Sequence, residues 1–126
     1  MSYIYTYGTF ADYQLEYNIK FFRKKIFYLL LYVDPKTKEQ YKDTVVRDAF
    51  NGLLYELGGL NSILNEPHSL VRVISMLEAA LLEYSKYEIN PTDFNFNKYR
   101  KLILDSGNEI LKIEKIKVPD KVEDGE

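Results

Sequence analysis

The sequence predicts an all-α fold: a single small domain in which about four main helices form a bundle. Four segments carry apolar residues at three- and four-residue spacing, which is the period of one helical face. Proline or glycine residues separate these segments, and both residue types interrupt helices. The chain has 126 residues, a single-domain length that permits burial of a substantial core. We expect an extended N-terminal arm and a disordered acidic C-terminal tail to flank the bundle.

The most apolar segment, Pro67 to Tyr87, is expected to be the central helix. Its main apolar face comprises Leu70, Ile74, Leu77, Leu81 and Tyr84. Other apolar residues cover most of the remaining surface, and a helix that is apolar nearly all round is normally buried. The residues left to meet water are Arg72, Ser75, Glu78 and Glu83. The predicted core of the whole bundle comprises Leu15, Ile19, Phe22, Ile26, Leu53, Leu57, Leu70, Ile74, Leu77, Leu81 and Ile103.

The chain begins with an alternating stretch, residues 1–8, which predicts an extended arm or a short edge strand. Thr9 followed by Asp12 resembles a capping box, and the first helix is expected to run from there to Val33. One apolar stripe of this helix comprises Leu15, Ile19, Phe22, Ile26, Leu29 or Leu30, and Val33. A second stripe comprises Phe10, Tyr17, Phe21 and Tyr28. Two stripes imply contact with two neighbouring helices, or with one neighbour and a partner chain.

Asp34-Pro35 ends the first helix, because a residue before proline is pushed away from helical angles. The second helix is expected to start between Thr37 and Thr44. Its apolar stripe comprises Tyr41, Val45, Ala49 or Phe50, Leu53 and Leu57. Gly52 inside this helix costs roughly 1 kcal/mol relative to alanine, which suggests close packing against a neighbour. Gly58-Gly59 predicts the C-terminal end of the helix.

The fourth helix is predicted from about Asp93 to Ile116. Gly107 leaves an alternative open, because the sequence Asp-Ser-Gly-Asn at 105–108 is also typical of a turn that would split this segment. The last eight residues, 119–126, are rich in charge and predict the disordered tail. The helical domain is therefore expected to span residues 1–118.

Composition excludes several classes of protein. The chain contains no cysteine, so it has no disulfide, thiolate metal ligand or thiol nucleophile. The longest apolar run, Ile26 to Val33, is too short to span a bilayer, and the N-terminus lacks the pattern of a signal peptide. A cytoplasmic protein is expected, without membrane contact. The net charge of −2 gives no general attraction to nucleic acid.

Motifs that carry catalysis are missing from the sequence. His68 is the only histidine, which excludes HExxH zinc sites and ferritin-like di-iron sites. The only ExxE motif, Glu123 to Glu126, lies in the expected tail, and no phosphate-binding glycine motif or serine-nucleophile motif occurs. Glu78 and Glu83 are five residues apart and point to different helix faces. We therefore expect no catalytic residue, metal site or cofactor, and a protein that is not an enzyme.

The twelve tyrosines allow two interpretations. Tyrosine offers apolar area, a polar tip and little rotamer entropy to lose, which suits a recognition surface. The same richness in Tyr, Phe, Ile, Lys and Asn is also typical of an A+T-rich genome.

A DNA-binding regulator is the alternative function. Residues 54–100 have a loose helix-turn-helix spacing, in which Ser69 and Arg72 would begin the recognition helix and residues 83–99 would form a β-hairpin wing. Basic clusters at residues 23–25 and 98–101 add to this interpretation. The segment between the glycine pair and Pro67 is too short for a full first helix, and the central helix lacks a row of base-reading polar residues. Nucleic-acid binding would use Arg72, Arg100 and Lys101.

We favour a small non-enzymatic module that binds another protein, such as an adaptor or an inhibitor of the kind carried by phages and mobile elements. The second stripe of the first helix is larger than a four-helix monomer needs, and its exposed part would be the interaction surface. Tyr17, Phe21 and Tyr28 are the predicted binding residues. They would form either a docking site for a partner or a homodimer face.

Overall fold

The computed structural model describes residues 2–5, 8–64 and 66–115, with side chains described for residues 14–64 and 66–113. Its α-helices are α1 (Asp12–Leu31), α2 (Val46–Ile63), α3 (His68–Ile89) and α4 (Phe96–Glu109). Short 3-10 helices lie at Lys38–Tyr41, Pro91–Asp93 and Ile110–Lys115. The predicted all-α bundle is confirmed. Within the described ranges, no helix is long and apolar enough to cross a membrane.

The described residues of the N-terminal arm include two short paired strands. Strands β1 (Ser2–Tyr5) and β2 (Gly8–Ala11) pair antiparallel, with Ser2 opposite Ala11. Thr9 lies within β2, so the predicted capping box at the start of the first helix is wrong. Helix α1 instead begins at Asp12, directly after the strand.

The core lies where α3 packs against α2 and α4, while α1 packs against the same two helices. Each predicted core residue is buried except Ile74 and Leu81, which are half-buried and pack against the core. Leu15, Phe50 and Leu77 are fully buried. Burial of side chains of this size contributes about 1.5–3 kcal/mol each. The bundle is therefore held mainly by apolar packing among the four helices.

Side chains from neighbouring segments cap the C-terminal end of α1 by hydrogen bonds to its carbonyl groups. The last four carbonyl groups of a helix have no partner within the helix and need one elsewhere. The buried Tyr99 hydroxyl of α4 donates to Leu29 O at 2.6 Å, and the Thr37 hydroxyl donates to Leu31 O at 2.6 Å. Burial raises the pKa of Tyr99, so this hydroxyl stays protonated and remains a donor. The bond fixes α4 to the end of α1.

The glycines of α2 do not act as the sequence predicts. Helix α2 continues through Gly58 and Gly59 to Ile63, so the predicted stop at this pair is wrong. Leu57 and Leu60 are buried on either side of the pair, and their packing outweighs the low helix propensity of glycine. The prediction of close packing at Gly52 is also wrong, because an added Cβ there would meet no atom within 4 Å.

Helix α3 has the predicted position but not the predicted orientation at its C-terminal end. Leu82 is 70% exposed, whereas Glu83, predicted to meet water, is only 2% exposed. Glu83 Oε2 accepts a hydrogen bond from the Asn95 backbone N–H at 2.8 Å, and the ammonium groups of Lys86 and Lys98 lie 3.2 and 3.7 Å from Oε1. A buried carboxylate needs such partners. Glu83 thereby anchors the segment that leads into α4.

Helix α4 is continuous through Gly107 to Glu109, so the alternative of a turn at 105–108 does not apply. The helical segment predicted to reach Ile116 continues as the 3-10 helix Ile110–Lys115. The DNA-binding alternative would need a β-hairpin wing at residues 83–99, and the structure contradicts this part of it. Those residues form the end of α3, a 3-10 turn and the start of α4. The tail predicted at 119–126 lies outside the described residues.

Candidate protein-binding surface

The predicted binding residues lie on the outer face of α1. Tyr17 is 70% exposed, Phe21 is 41% exposed and Tyr28 is half-buried. The rings of Tyr17 and Phe21 stack with their centroids 6.5 Å apart, and Phe21 meets the buried ring of Phe22 edge to face at 5.5 Å. Phe21 therefore contacts a buried ring of the core, and Tyr17 packs on Phe21. We call Tyr17, Phe21 and Tyr28 the aromatic row.

The aromatic row continues into a cluster of three tyrosines at the C-terminal end of α1. The Tyr28 and Tyr32 rings are stacked at 6.1 Å, and Tyr41 meets both of them edge to face at 6.1 and 5.2 Å. Burial, and secondarily the neighbouring Tyr28 and Tyr41 hydroxyls, raise the pKa of Tyr32. Since the three rings contact one another, their rotamer freedom is restricted.

A groove separates the aromatic row from α2. We call it the α1/α2 groove; its volume is about 420 Å³. The groove is lined by Phe21, Lys24, Lys25, Tyr28, Leu29, Tyr32, Asp48, Ala49, Gly52, Leu53 and Glu56. Gly52 leaves the α2 wall open because no side chain projects from it. Lys25 spans the groove, since its ammonium lies 4.7 Å from the Phe21 ring centroid and 3.1 Å from Glu56 Oε1.

A second groove lies on the other flank of α1, facing α4. We call it the α1/α4 groove; its volume is about 530 Å³. The groove is lined by Lys20, Arg23, Lys24, Ile26, Phe27, Ile103, Leu104, Gly107, Asn108 and Leu111. Phe27 is 50% exposed within it. Residues 23–25 were predicted to form one basic cluster. The structure divides them between the two grooves, because Lys25 faces α2 while Arg23 faces α4.

The residues predicted for nucleic-acid binding differ in their surroundings. Arg72 Nε donates to Glu109 Oε2 at 2.7 Å, and Lys101 Nζ lies 2.8 Å from Asp105 Oδ2. Arg100 is exposed on α4. Ser69, predicted to begin a recognition helix, is fully buried, and its hydroxyl has no hydrogen-bond partner among the described residues. Helix α2 does reach Ile63, so a full helix precedes α3, contrary to the expectation from the glycine pair.

Glu109 holds the ion pair with Arg72 in a nearly buried position. Burial by itself would raise the pKa of the Glu109 carboxyl. The hydrogen bonds from Arg72 and Lys112 more than offset that effect, so its pKa is lowered. Arg72 is therefore engaged in holding α3 to the end of α4.

Several residues of the two grooves did not stand out in the sequence, among them Phe27 and Tyr32. Phe27 lies seven residues after Lys20, which is two helical turns and places both on one flank of α1. That spacing was the one sequence signal that Phe27 and Lys20 share a surface. It did not indicate a groove, because basic residues such as Lys20 ordinarily belong to a solvated helix face. Among the described residues no group of three His, Cys, Asp or Glu side chains is placed to hold a metal ion. His68 is exposed at the start of α3.

Comparison of the chain with known protein families, with curated proteins and with solved structures gives no match.

Proposed function

We propose that this chain is a small non-enzymatic protein-binding module that acts in the cytoplasm by covering a surface of another protein. An adaptor, or an inhibitor of the kind carried by phages and mobile elements, fits this description. The observation that carries the proposal is the aromatic row, in which Tyr17 and Phe21 remain substantially exposed on a helix whose opposite face is buried. Contiguous exposed aromatic area on a small protein is typical of an interaction surface.

The row has the properties of an affinity hot spot. Tyrosine and phenylalanine supply large contact areas with few rotatable bonds, and fully burying one such side chain contributes about 1.5–3 kcal/mol. Tyr17 stacks on Phe21, and Phe21 in turn packs edge to face against Phe22, so these contacts already restrict both rings. A partner would therefore gain apolar burial at little conformational cost.

The occupant we propose is a helix of another protein that lies along α1. Its apolar side chains would cover the aromatic row and enter the α1/α2 groove beside Gly52, where the α2 wall carries no side chain. The groove rim bears Lys24 and Lys25 as well as Asp48 and Glu56, so a partner of mixed charge suits it. A second copy of this chain is the competing occupant.

Capture of the partner from extracts of the source cell tests this proposal. The immobilised wild-type protein should retain a defined protein, and Phe21→Asp should reduce its retention at least about tenfold because a charge on the row opposes apolar contact. Leu82→Asp on α3 is the matched control, since Leu82 is also an exposed apolar residue. This control should retain the partner fully.

Light scattering of the wild-type protein and of Phe21→Asp distinguishes the two occupants. A concentration-dependent dimer that Phe21→Asp converts to a monomer would assign the row to a homodimer.

Two outcomes of the capture experiment would contradict the proposal. Retention of nucleic acid alone would contradict protein binding. Equal retention of the partner by Phe21→Asp and the wild type would exclude the aromatic row as the binding surface.

A further inference from the structure

The α1/α4 groove combines an apolar floor with a rim that carries charge of one sign. Phe27, Leu104 and Leu111 expose apolar surface along the floor. Lys20, Arg23 and Lys24 stand on the α1 side, and among the described side chains that line the groove none is acidic. The α1/α2 groove differs in this respect, since its rim contains both signs.

The cations of this rim form no ion pair with any described acidic residue. In the part of the chain that the structure describes, Lys25, Arg47, Arg72 and Lys101 each pair with a carboxylate, whereas none of the three rim cations does. Arg23 is nevertheless held in place, because its Nε donates to Gly107 O at 3.2 Å across the groove. An arginine anchored through Nε keeps its terminal N–H groups available for a carboxylate, which they bind in a bidentate manner.

We propose that the α1/α4 groove is a second docking site, which binds an acidic amphipathic segment of a protein partner. Aliphatic or aromatic side chains of that segment enter the groove over Phe27, and its carboxylates pair with Lys20, Arg23 and Lys24. The charge complementarity selects an acidic partner. The apolar floor favours a peptide over nucleic acid, because phosphate contacts make no use of apolar surface. This site is separate from the aromatic row.

The test uses fluorescence anisotropy and a short labelled peptide with leucines at helical spacing and glutamates on the flanks. This peptide should bind the full chain. Raising the salt from about 50 to about 300 mM should weaken its binding, because the proposed ion pairs between its glutamates and the groove cations are solvent-exposed. A matched peptide with glutamine in place of glutamate, and another with serine in place of leucine, should each bind at least about tenfold more weakly.

Protein variants locate the site. Arg23→Glu and Lys20→Glu should each raise the Kd of the acidic peptide about tenfold or more. Lys20→Glu does not disturb the bond between Arg23 and Gly107, so it keeps the test valid if Arg23→Glu folds poorly. Lys36→Glu is the control for a charge reversal elsewhere and should leave the Kd unchanged. Phe21→Asp should also leave the Kd of the acidic peptide unchanged. That result would distinguish this groove from the aromatic row, on which the proposed function depends.

Five results would overturn the proposal. If the glutamine peptide bound as tightly as the glutamate peptide, recognition by charge would be excluded. If Lys20→Glu and Arg23→Glu bound the acidic peptide as tightly as the wild type, this groove would be excluded as the binding site. Tighter binding of single- or double-stranded DNA, lost in the same two variants, would assign the rim to nucleic acid. A wild-type dimer that Arg23→Glu dissociates would make a second copy of the chain the occupant of the groove. Peptide binding that appears only after removal of residues 116–126 would make that segment of the same chain the occupant.

Discussion

Glu83 and Glu109 are carboxylates that the fold holds almost out of water, one at each end of the α3–α4 pair. Burial would by itself raise the pKa of Glu83. The Asn95 N–H and the ammonium groups of Lys86 and Lys98 outweigh burial, so the pKa of Glu83 is lowered, as is that of Glu109. A carboxyl group whose pKa is lower in the folded than in the unfolded state stabilises the fold when ionised.

We therefore predict acid sensitivity that depends on these two residues. Their contribution to the free energy of unfolding should be complete above the ordinary carboxyl pKa of 4.5 and should be lost as the pH falls through their lowered values. Urea unfolding between about pH 7 and about pH 3 measures this loss. The double variant Glu83→Gln/Glu109→Gln should show a flatter profile. Parallel profiles of wild type and variant would contradict the assignment.

Local sequence could not identify Glu83 as buried. Periodicity places a charged residue on the water-facing side unless a partner is known. The partners of Glu83 include Asn95 and Lys98, which lie beyond the end of α3 in the next segment. The exposure of Leu82 has the same cause, because the rotation of α3 is set by its packing against α2 and α4 together. Tertiary contacts decided both positions.

At the scale of the elements, helix existence was predicted well and helix ends were not. The apolar stripes of α1 and α3 are long and strongly periodic, and both helices lie where the sequence predicts them. Gly58-Gly59 gave a local stop signal, but burial of Leu57 and Leu60 overrode it. A pair of glycines is a weak stop when the apolar period continues beyond it.

The glycine pair leads to a stability prediction. Gly58→Ala and Gly59→Ala should each raise the free energy of unfolding by about 0.5–1 kcal/mol, because alanine favours the helix and restricts the unfolded chain. An added Cβ at either position meets no atom within 4 Å, so no steric cost opposes the gain. Urea unfolding of the single variants provides the measurement. A loss of stability in both would mean that α2 ends before Ile63.

At the scale of the whole molecule, the sequence predicted the aromatic row but neither groove. The row follows from helical spacing along one element, which a sequence displays directly. A groove requires two elements, and the distance between α1 and its neighbours depends on side chains from both. Arg23 illustrates this limit, because its bond to Gly107 joins positions that are far apart in the chain.

The central claim is that α1 presents a protein-binding surface, and site-specific photocrosslinking in the source cell tests it most directly. A photoreactive phenylalanine analogue at Tyr17, which is 70% exposed, should give one discrete crosslinked protein. The same analogue at Leu82, which has the same exposed fraction, should not give that product. The same crosslinked protein from both positions, or none from Tyr17, would contradict the claim.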